Sequence, residues 1–250
     1  MKISVITVCH NSQESLQDTI DSVASQDYPD LEHIIVDGKS EDSTLEIIQK
    51  NIETIGQWIS EKDEGIYDAM NKGIQLATGD VIAFLNADDF YAYPQAVGDM
   101  VQKMKDEDVD SCYADLEYVS AQDETRVIRK WRSGVCHSNS FNMGWMPPHP
   151  TFFVRREIYH KYGLFNLDLG TAADYEIMLR FLHKYKISTA YLPKTIIKMR
   201  TGGVSNRSLF NRIAANKNDR KAWLVNNLKP QFYTLFLKPL RKVGQFVRSN

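Results

Sequence analysis

The chain has 250 residues, 43% hydrophobic and 25% charged, which suits one α/β domain, alone or with a small appendage. Its net charge of −2 hides an asymmetry: from Met199 onward eleven Lys or Arg stand against Asp219 alone, +10, leaving −12 for the body. That acidic body argues against nucleic-acid binding, while the basic, partly apolar tail suggests contact with something anionic. Cys9, Cys112 and Cys136 are widely spaced without a metal pattern, no apolar run reaches bilayer length, and Met1-Lys2-Ile3-Ser4 enters a strand at once. The expectation is a cytoplasmic protein with no signal peptide.

Ile3 to Cys9 is β-rich and predicts a buried opening strand, followed by turn and cap chemistry at His10-Asn11-Ser12 and a helix over 14–25. Leu31 to Val36 predicts a second strand, ending in Asp37-Gly38-Lys39-Ser40, and Ser43-Thr44-Leu45-Glu46 is a capping box that opens a second helix. A short strand over 55–60, a helix from Ile66 closed by Thr78-Gly79, and a strand from Val81 continue the rhythm. Alternating strands and helices predict parallel pairing with right-handed crossovers.

After Phe90 the rhythm changes. A helix over 94–105 precedes short strands over 109–113, 116–120 and 126–131, which reads as antiparallel material. Residues 134–144 read as a loop and Met146 to Pro150 as an extended segment. A strand over 151–154, helices over 157–162 and 174–185, and short strands over 189–192 and 195–199 complete the body. A basic helix over 209–228, broken by Pro230, and a tail over 231–248 end the chain. The organisation expected is a domain over 1–204, with a nucleotide-binding half at 1–90 and an acceptor half at 91–204, then a basic helical extension at 205–250.

The chemistry gathers where strands end. Val81 to Leu85 is an apolar run that leads straight into Asn86, Asp88 and Asp89, and α/β sheets hold ligands outside the carboxyl ends of their strands. Asp88 and Asp89 cannot both sit ionised at close quarters without a cation or strong donors. Hard oxygen ligands suit magnesium or manganese, ions that usually bring phosphate with them. The simpler reading is that one of the pair caps the next turn. Asp37, Asp63, Asp68, Asp88 and Asp174 all fall at strand ends or helix starts and would meet on one edge.

With these motifs in order, residues 2–201 resemble a family 2 glycosyltransferase with the GT-A fold, of the type that builds bacterial surface polysaccharides. The opening run Ser4 to Asn11 is similar to the family's nucleotide-holding strand, which implies donor contacts at Thr7, Cys9 and Asn11. Val36-Asp37-Gly38-Lys39-Ser40 resembles the motif whose Asp meets the nucleobase, usually uracil, with Lys39 beside it. Asp63, Gly65, Asp68 and Asn71 match the next nucleotide-side motif. Asn86-Ala87-Asp88-Asp89 occupies the place of the D-x-D metal motif, which implies magnesium or manganese at Asp88 with Asn86 and Ala87 near the donor. Asp174 resembles the catalytic base, and Arg200 is a candidate for the diphosphate. Two departures stand out: Asn86 replaces the first Asp of D-x-D, and Ala173 replaces the Glu that usually precedes the base.

The resemblance implies inverting transfer of one hexose from a UDP-linked donor to a lipid-linked or growing surface glycan. The absence of Q-x-x-R-W argues for a single addition. Trp145 and His149 are weak acceptor-side candidates. Trp145, Trp131 and Tyr67 could stack on sugars or simply pack in the core, and His149 could be structural. Asp63, Asp68 and Asp174 could be no more than helix-start acids, and Asp37 could simply cap the turn at Gly38. The tail is expected to hold the protein on the inner face of the plasma membrane, or else to pack on the body. The rivals are a sugar nucleotidyltransferase, which would need a Gly-rich loop after the first strand, and an inactive nucleotide-sugar-binding subunit.

Overall fold

The computed structural model describes residues 1–201 and 218–246. Strand β1 (Ile3–Cys9) has all seven residues buried and lies at the centre of a parallel half-sheet. It pairs with β2 (Leu31–Asp37) on one side and β4 (Val81–Phe84) on the other, and β2 pairs with β3 (Gln57–Ser60). The register sets Cys9 against Asp37 and Asp37 against Ser60, so three strands end side by side. Helices α1 (Leu16–Ala24), α2 (Thr44–Lys50) and α3 (Ile66–Leu76) make the crossovers, burying Leu16, Ile20, Ile48, Met70 and Ile74. Near-continuous apolar strands covered by amphipathic helices are the pattern of a sheet buried on both faces.

Past β4 the sheet turns mixed. Its order is β3-β2-β1-β4-β8 (Phe153–Arg155)-β6 (Ser111–Val119)-β9 (Thr189–Arg200)-β5 (Asp89–Tyr91), with β7 (Val127–Trp131) on the side of β6. Strand β5 (Asp89–Tyr91) follows the acidic turn directly; α4 (Ala96–Glu107), β6 (Ser111–Val119) and β7 (Val127–Trp131) come next. After a 3₁₀ turn at His149–Thr151 come β8 (Phe153–Arg155), α5 (Arg156–Tyr162), and α6 (Ala173–Met178), which widens into a π-helical turn at Leu179–Lys184. Strand β9 (Thr189–Arg200) runs parallel to β6 and antiparallel to β5, pairing Asp89 with Met199.

Three expectations change. The strands expected over 109–113 and 116–120 are one strand, β6. It continues through Asp115 because that carboxylate accepts from Ser133 N at 2.8 Å and the Tyr191 hydroxyl at 2.7 Å. Likewise β9 runs through Pro193. The register with β6 shifts there, as it must where proline cannot donate to the ladder. The helix expected to begin at 209 lies partly outside the described residues; its described part, α7 (218–225), ends before Asn227.

The tail forms α8 (Thr234–Phe246) with Pro239 inside it, and α8 packs on the body. Its backbone runs so close to the 139–144 loop that a Cβ on Gly144, at φ +71°, would stand 2.4 Å from Lys238 N. No described helix is long and apolar enough to cross a membrane.

Candidate functional site

The carboxyl ends of β1, β2 and β3 form one corner of the site. Asp37 has no exposed surface. Its carboxylate accepts from Ser40 N at 3.0 Å, Ser40 Oγ and Ser60 Oγ at 2.6 Å, with Cys9 Sγ at 3.6 Å. These contacts engage the lone-pair sites of a carboxylate from within the protein, so Asp37 holds the 38–40 turn instead of presenting a free acceptor. Burial first, then the neighbouring Asp37, pushes the Cys9 thiol well up, so Cys9 stays protonated. Thr7 is equally buried and bonds His33 Nε2 at 2.9 Å.

Around this turn two non-glycine residues adopt left-handed backbone, Asn11 (φ 50°) and Lys39 (φ 61°). Asn11 N donates to Ser40 Oγ at 2.8 Å and Asn11 Oδ1 accepts from Glu41 N at 2.9 Å, which stitches the β1 and β2 loops together. Asn tolerates this conformation, whereas Lys39 carries strain of the kind that gathers at functional sites. Lys39 and Asn11 are exposed. They, not Asp37, are what this corner offers to solvent.

Asp63 Oδ1 accepts from Gly65 N at 2.9 Å, where α3 begins. Its other oxygen packs on Gly38, where an added Cβ would come within 2.5 Å, so a side chain at position 38 would displace the Asp63 carboxylate. Asp68 accepts from Glu64 N at 3.0 Å and pairs with Lys72 at 3.3 Å, acting as a helix-start latch. Asn71 lies deeper: its Nδ2 donates to Phe165 O at 3.0 Å and its Oδ1 accepts from Phe165 N at 2.9 Å. The side chain expected on the nucleotide is therefore a tie between α3 and the 163–166 loop.

After β4 the chain turns at Asn86-Ala87-Asp88-Asp89. Ala87 is buried under the turn and Asp88 is half-buried. Asp89 has no exposed surface; its Oδ2 accepts from Asn86 Nδ2 at 3.0 Å, and among the described residues its Oδ1 has no hydrogen-bond partner. Burial raises the Asp88 carboxyl, and burial followed by the Asp88 charge raises Asp89 well above the carboxylate range. A buried, orphaned carboxylate oxygen next to a second acid is the environment a cation relieves. Among the described residues no cluster of three or more His, Cys, Asp or Glu holds an ion unaided. Asp88 with Asp89 therefore fits magnesium or manganese that takes its other ligands from diphosphate and water.

Arg200 borders this turn. It donates to Asp88 O at 3.1 Å, pairs with Asp18 at 2.6 Å and with Glu124, and lies over the Phe90 ring at 4.9 Å. Its charge is already shared by two acids, so it braces the acidic turn.

Asp174 opens α6 and accepts from Tyr175 N at 2.6 Å. Burial and then the Asp174 charge raise the Tyr67 phenol. His149 is lowered by its burial, against the opposing charge of Asp174. Burial raises Tyr118, and the charges of Asp89 and Asp174 both add to it. Tyr118 thus lies within the field of the acidic turn and of Asp174, joining two regions 85 residues apart in sequence. Nothing in the sequence singles out Tyr118, an aromatic within a strand. Nor does it mark Ser40 and Ser60 as the partners of Asp37.

The two acceptor-side candidates are buried in the core. His149 is stacked on Phe84 at 5.3 Å and meets Phe165 edge-on at 5.5 Å. Trp145 is buried, donates its indole N–H to Ser133 O at 2.7 Å, and packs edge-on against Tyr113 and Phe141. Trp131 is the accessible one: with Asp115, Glu117, Lys130, Arg132 and Tyr191 it lines a cavity of about 360 Å³.

The family model described as glycosyl transferase family 2 matches residues 4–165. An uncharacterized glycosyltransferase of Mycobacterium tuberculosis is 32% identical over 186 residues, 71% of this chain and 68% of its own. A PGL/p-HBAD biosynthesis glycosyltransferase of Mycobacterium bovis is 28% identical over 215 residues, 81% of this chain and 78% of its own. Among solved structures, S. aureus TarS 1–349 in complex with UDP-GlcNAc superposes with a TM-score of 0.70 at 18% identity, covering 95% of this chain and 69% of that one. Mannosyltransferase PcManGT from Pyrobaculum calidifontis, in complex with GDP-Man and Mn2+, gives 0.64 at 17% identity, covering 99% and 70%. The mixed sheet with its flanking helices is the GT-A architecture of these structures, and the chain belongs to glycosyl transferase family 2.

Proposed function

We propose that the protein is an inverting, non-processive hexosyltransferase. It would move one sugar from a nucleotide-diphosphate donor, with UDP favoured, to a hydroxyl of a lipid-linked or growing surface glycan. The observation that carries this reading is the acidic turn at the end of β4, where the buried Asp89 is held by Asn86 beside Asp88, in a chain of glycosyl transferase family 2. The solved structures of TarS with UDP-GlcNAc and of PcManGT with GDP-Man and Mn2+ support the donor class. The relative that acts in PGL/p-HBAD biosynthesis supports a glycan of the cell surface, with the protein working at the cytoplasmic side of the plasma membrane.

In this reading Asp88 and Asp89 would hold magnesium or manganese, and the ion would supply positive charge to a nucleotide diphosphate. Asn86 keeps Asp89 in place, and Arg200 keeps the turn from moving. Asp174 accepts the proton of the acceptor hydroxyl as that oxygen attacks the anomeric carbon. Tyr67 hydrogen-bonds Asp174, and the buried, neutral ring of His149 lies within the field of that carboxylate.

An inactive nucleotide-sugar-binding subunit is the second reading. It is favoured by the full engagement of Asp37 and Arg200 within the protein. Asp174→Asn separates the two. The hexosyltransferase reading expects intact donor binding with transfer and donor hydrolysis reduced by at least about a hundredfold, the usual scale of a general base. Turnover absent from the wild type with every nucleotide sugar tried would favour the binding subunit.

A further inference from the structure

Helix α8 is amphipathic in an inverted sense. Its described polar side chains grip the protein. Thr234 donates to Asn142 O at 2.7 Å, Lys238 pairs with Asp219 at 2.7 Å and lies over the Tyr175 ring at 3.6 Å, Arg241 donates to Met143 O at 2.9 Å, and Gln245 accepts from Arg129 at 2.7 Å. Phe232, just before the helix, and Phe236 and Leu240 within it recur every four residues and point away, 86%, 73% and 62% exposed. That spacing puts Phe236 and Leu240 on one helical face, with Phe232 in line below them. A soluble helix normally buries such a stripe, and an exposed one marks an interaction surface.

We propose that this face docks on an anionic lipid bilayer, with Phe232, Phe236 and Leu240 entering the headgroup boundary. Charge selects this occupant. The exposed cations nearby in sequence include Arg220, Lys221 and Lys229. The one acid in this stretch, Asp219, is already paired with Lys238. Cations beside a shallow apolar stripe are the pattern of interfacial binding to anionic lipid.

The proposal gives a lipid-linked acceptor a place to be met, yet it does not depend on the transfer reaction, because lipid binding is read without substrate. The test is co-sedimentation of the full chain with phosphatidylcholine vesicles, with and without phosphatidylglycerol. Wild type pellets with the phosphatidylglycerol vesicles, and Phe232→Ser/Phe236→Ser/Leu240→Ser lowers the bound fraction at least about tenfold, with its melting temperature held. Because the triple variant alters exposed side chains only, an unchanged melt shows that folding is intact. Arg220→Glu/Lys229→Glu lowers binding to the anionic vesicles and leaves binding to pure phosphatidylcholine unaltered. Equal pelleting of wild type and triple variant overturns the proposal, as does a wild type that stays in the supernatant. Sedimentation of the wild type as a dimer that the triple variant dissociates would assign the stripe to a second copy instead.

Discussion

Asn86 donates its amide N–H to the carboxylate of Asp89 at 3.0 Å, so a neutral side chain steadies an acid that has no exposed surface. Replacing Asn86 with Asp would set a third carboxylate against two whose ionisation burial already opposes. Asn86→Asp is expected to destabilise the ion-free protein by about 1–3 kcal/mol, the scale of an uncompensated buried polar group, and manganese should restore most of it. Asp89→Asn should do the reverse: a higher melting temperature without ion and no stabilisation by manganese. Thermal melting of both variants with and without manganese checks the pair.

The same two carboxyls set a pH dependence. Their folded pKa values are raised by burial, and in Asp89 also by Asp88. A raised carboxyl favours the protonated fold, so its contribution to stability is full below the ordinary carboxylate pKa and is lost as pH rises through the raised value. Cation binding needs both groups ionised and runs the other way. Manganese affinity is expected to fall on acidification at a pH above the ordinary carboxylate range of about 4. Calorimetric titration across pH measures it, and an affinity that holds constant down to about pH 5 would remove these groups from the ion site.

Asn71 predicts a different kind of effect. Both of its amide atoms bond the backbone of Phe165, whose ring meets Tyr67 at 5.4 Å and His149 at 5.5 Å beside Asp174. Asn71→Ala leaves a backbone N–H and C=O without their partners and should cost about 1–3 kcal/mol. Because the tie serves the Asp174 side, turnover should fall while nucleotide affinity changes less than about threefold, under 1 kcal/mol. A loss of nucleotide affinity with turnover intact would return Asn71 to the donor side.

Glu32 anchors the opposite edge of the sheet. Burial pushes its carboxyl up, but donors from Lys2, Ser4 and Thr78 outweigh that and hold it at about 2. A lowered carboxyl contributes stability that is present above the unfolded value of about 4.3 and lost as pH falls through the folded one. Wild type should therefore lose stability between about pH 4.5 and pH 2, and Glu32→Gln should be less stable at neutral pH with a flatter profile in that window. Denaturant unfolding at several pH values reads both slopes.

Much of the parallel half was legible from the residues. Ile3 to Cys9, Leu31 to Val36 and Val81 to Leu85 are apolar runs that only a doubly covered sheet buries, and Asp37, Asp63 and the 86–89 turn sit where those strands end. The mixed half was harder. Asp115 and Pro193 look like strand breakers, and only the Ser133 and Tyr191 donors and a register shift reveal that β6 and β9 pass through them. Strand β5, three residues long, hides inside the acidic motif. Side-chain engagement is a tertiary property, so the links of Asn71 to Phe165, Trp145 to Ser133 and Arg200 to Asp18 had no local signature. The tail's mix of cations and bulky apolar residues was visible, whereas the division between the side that grips and the side that faces out required the folded helix.

The most direct test of the account is calorimetric titration of the full chain with UDP and with GDP, each with and without manganese, alongside Asp88→Ala. Binding of a nucleoside diphosphate that needs manganese and is lost in Asp88→Ala is the predicted result. Manganese-independent binding that survives Asp88→Ala, or no binding of either nucleotide, would contradict a metal-assisted donor site at the end of β4.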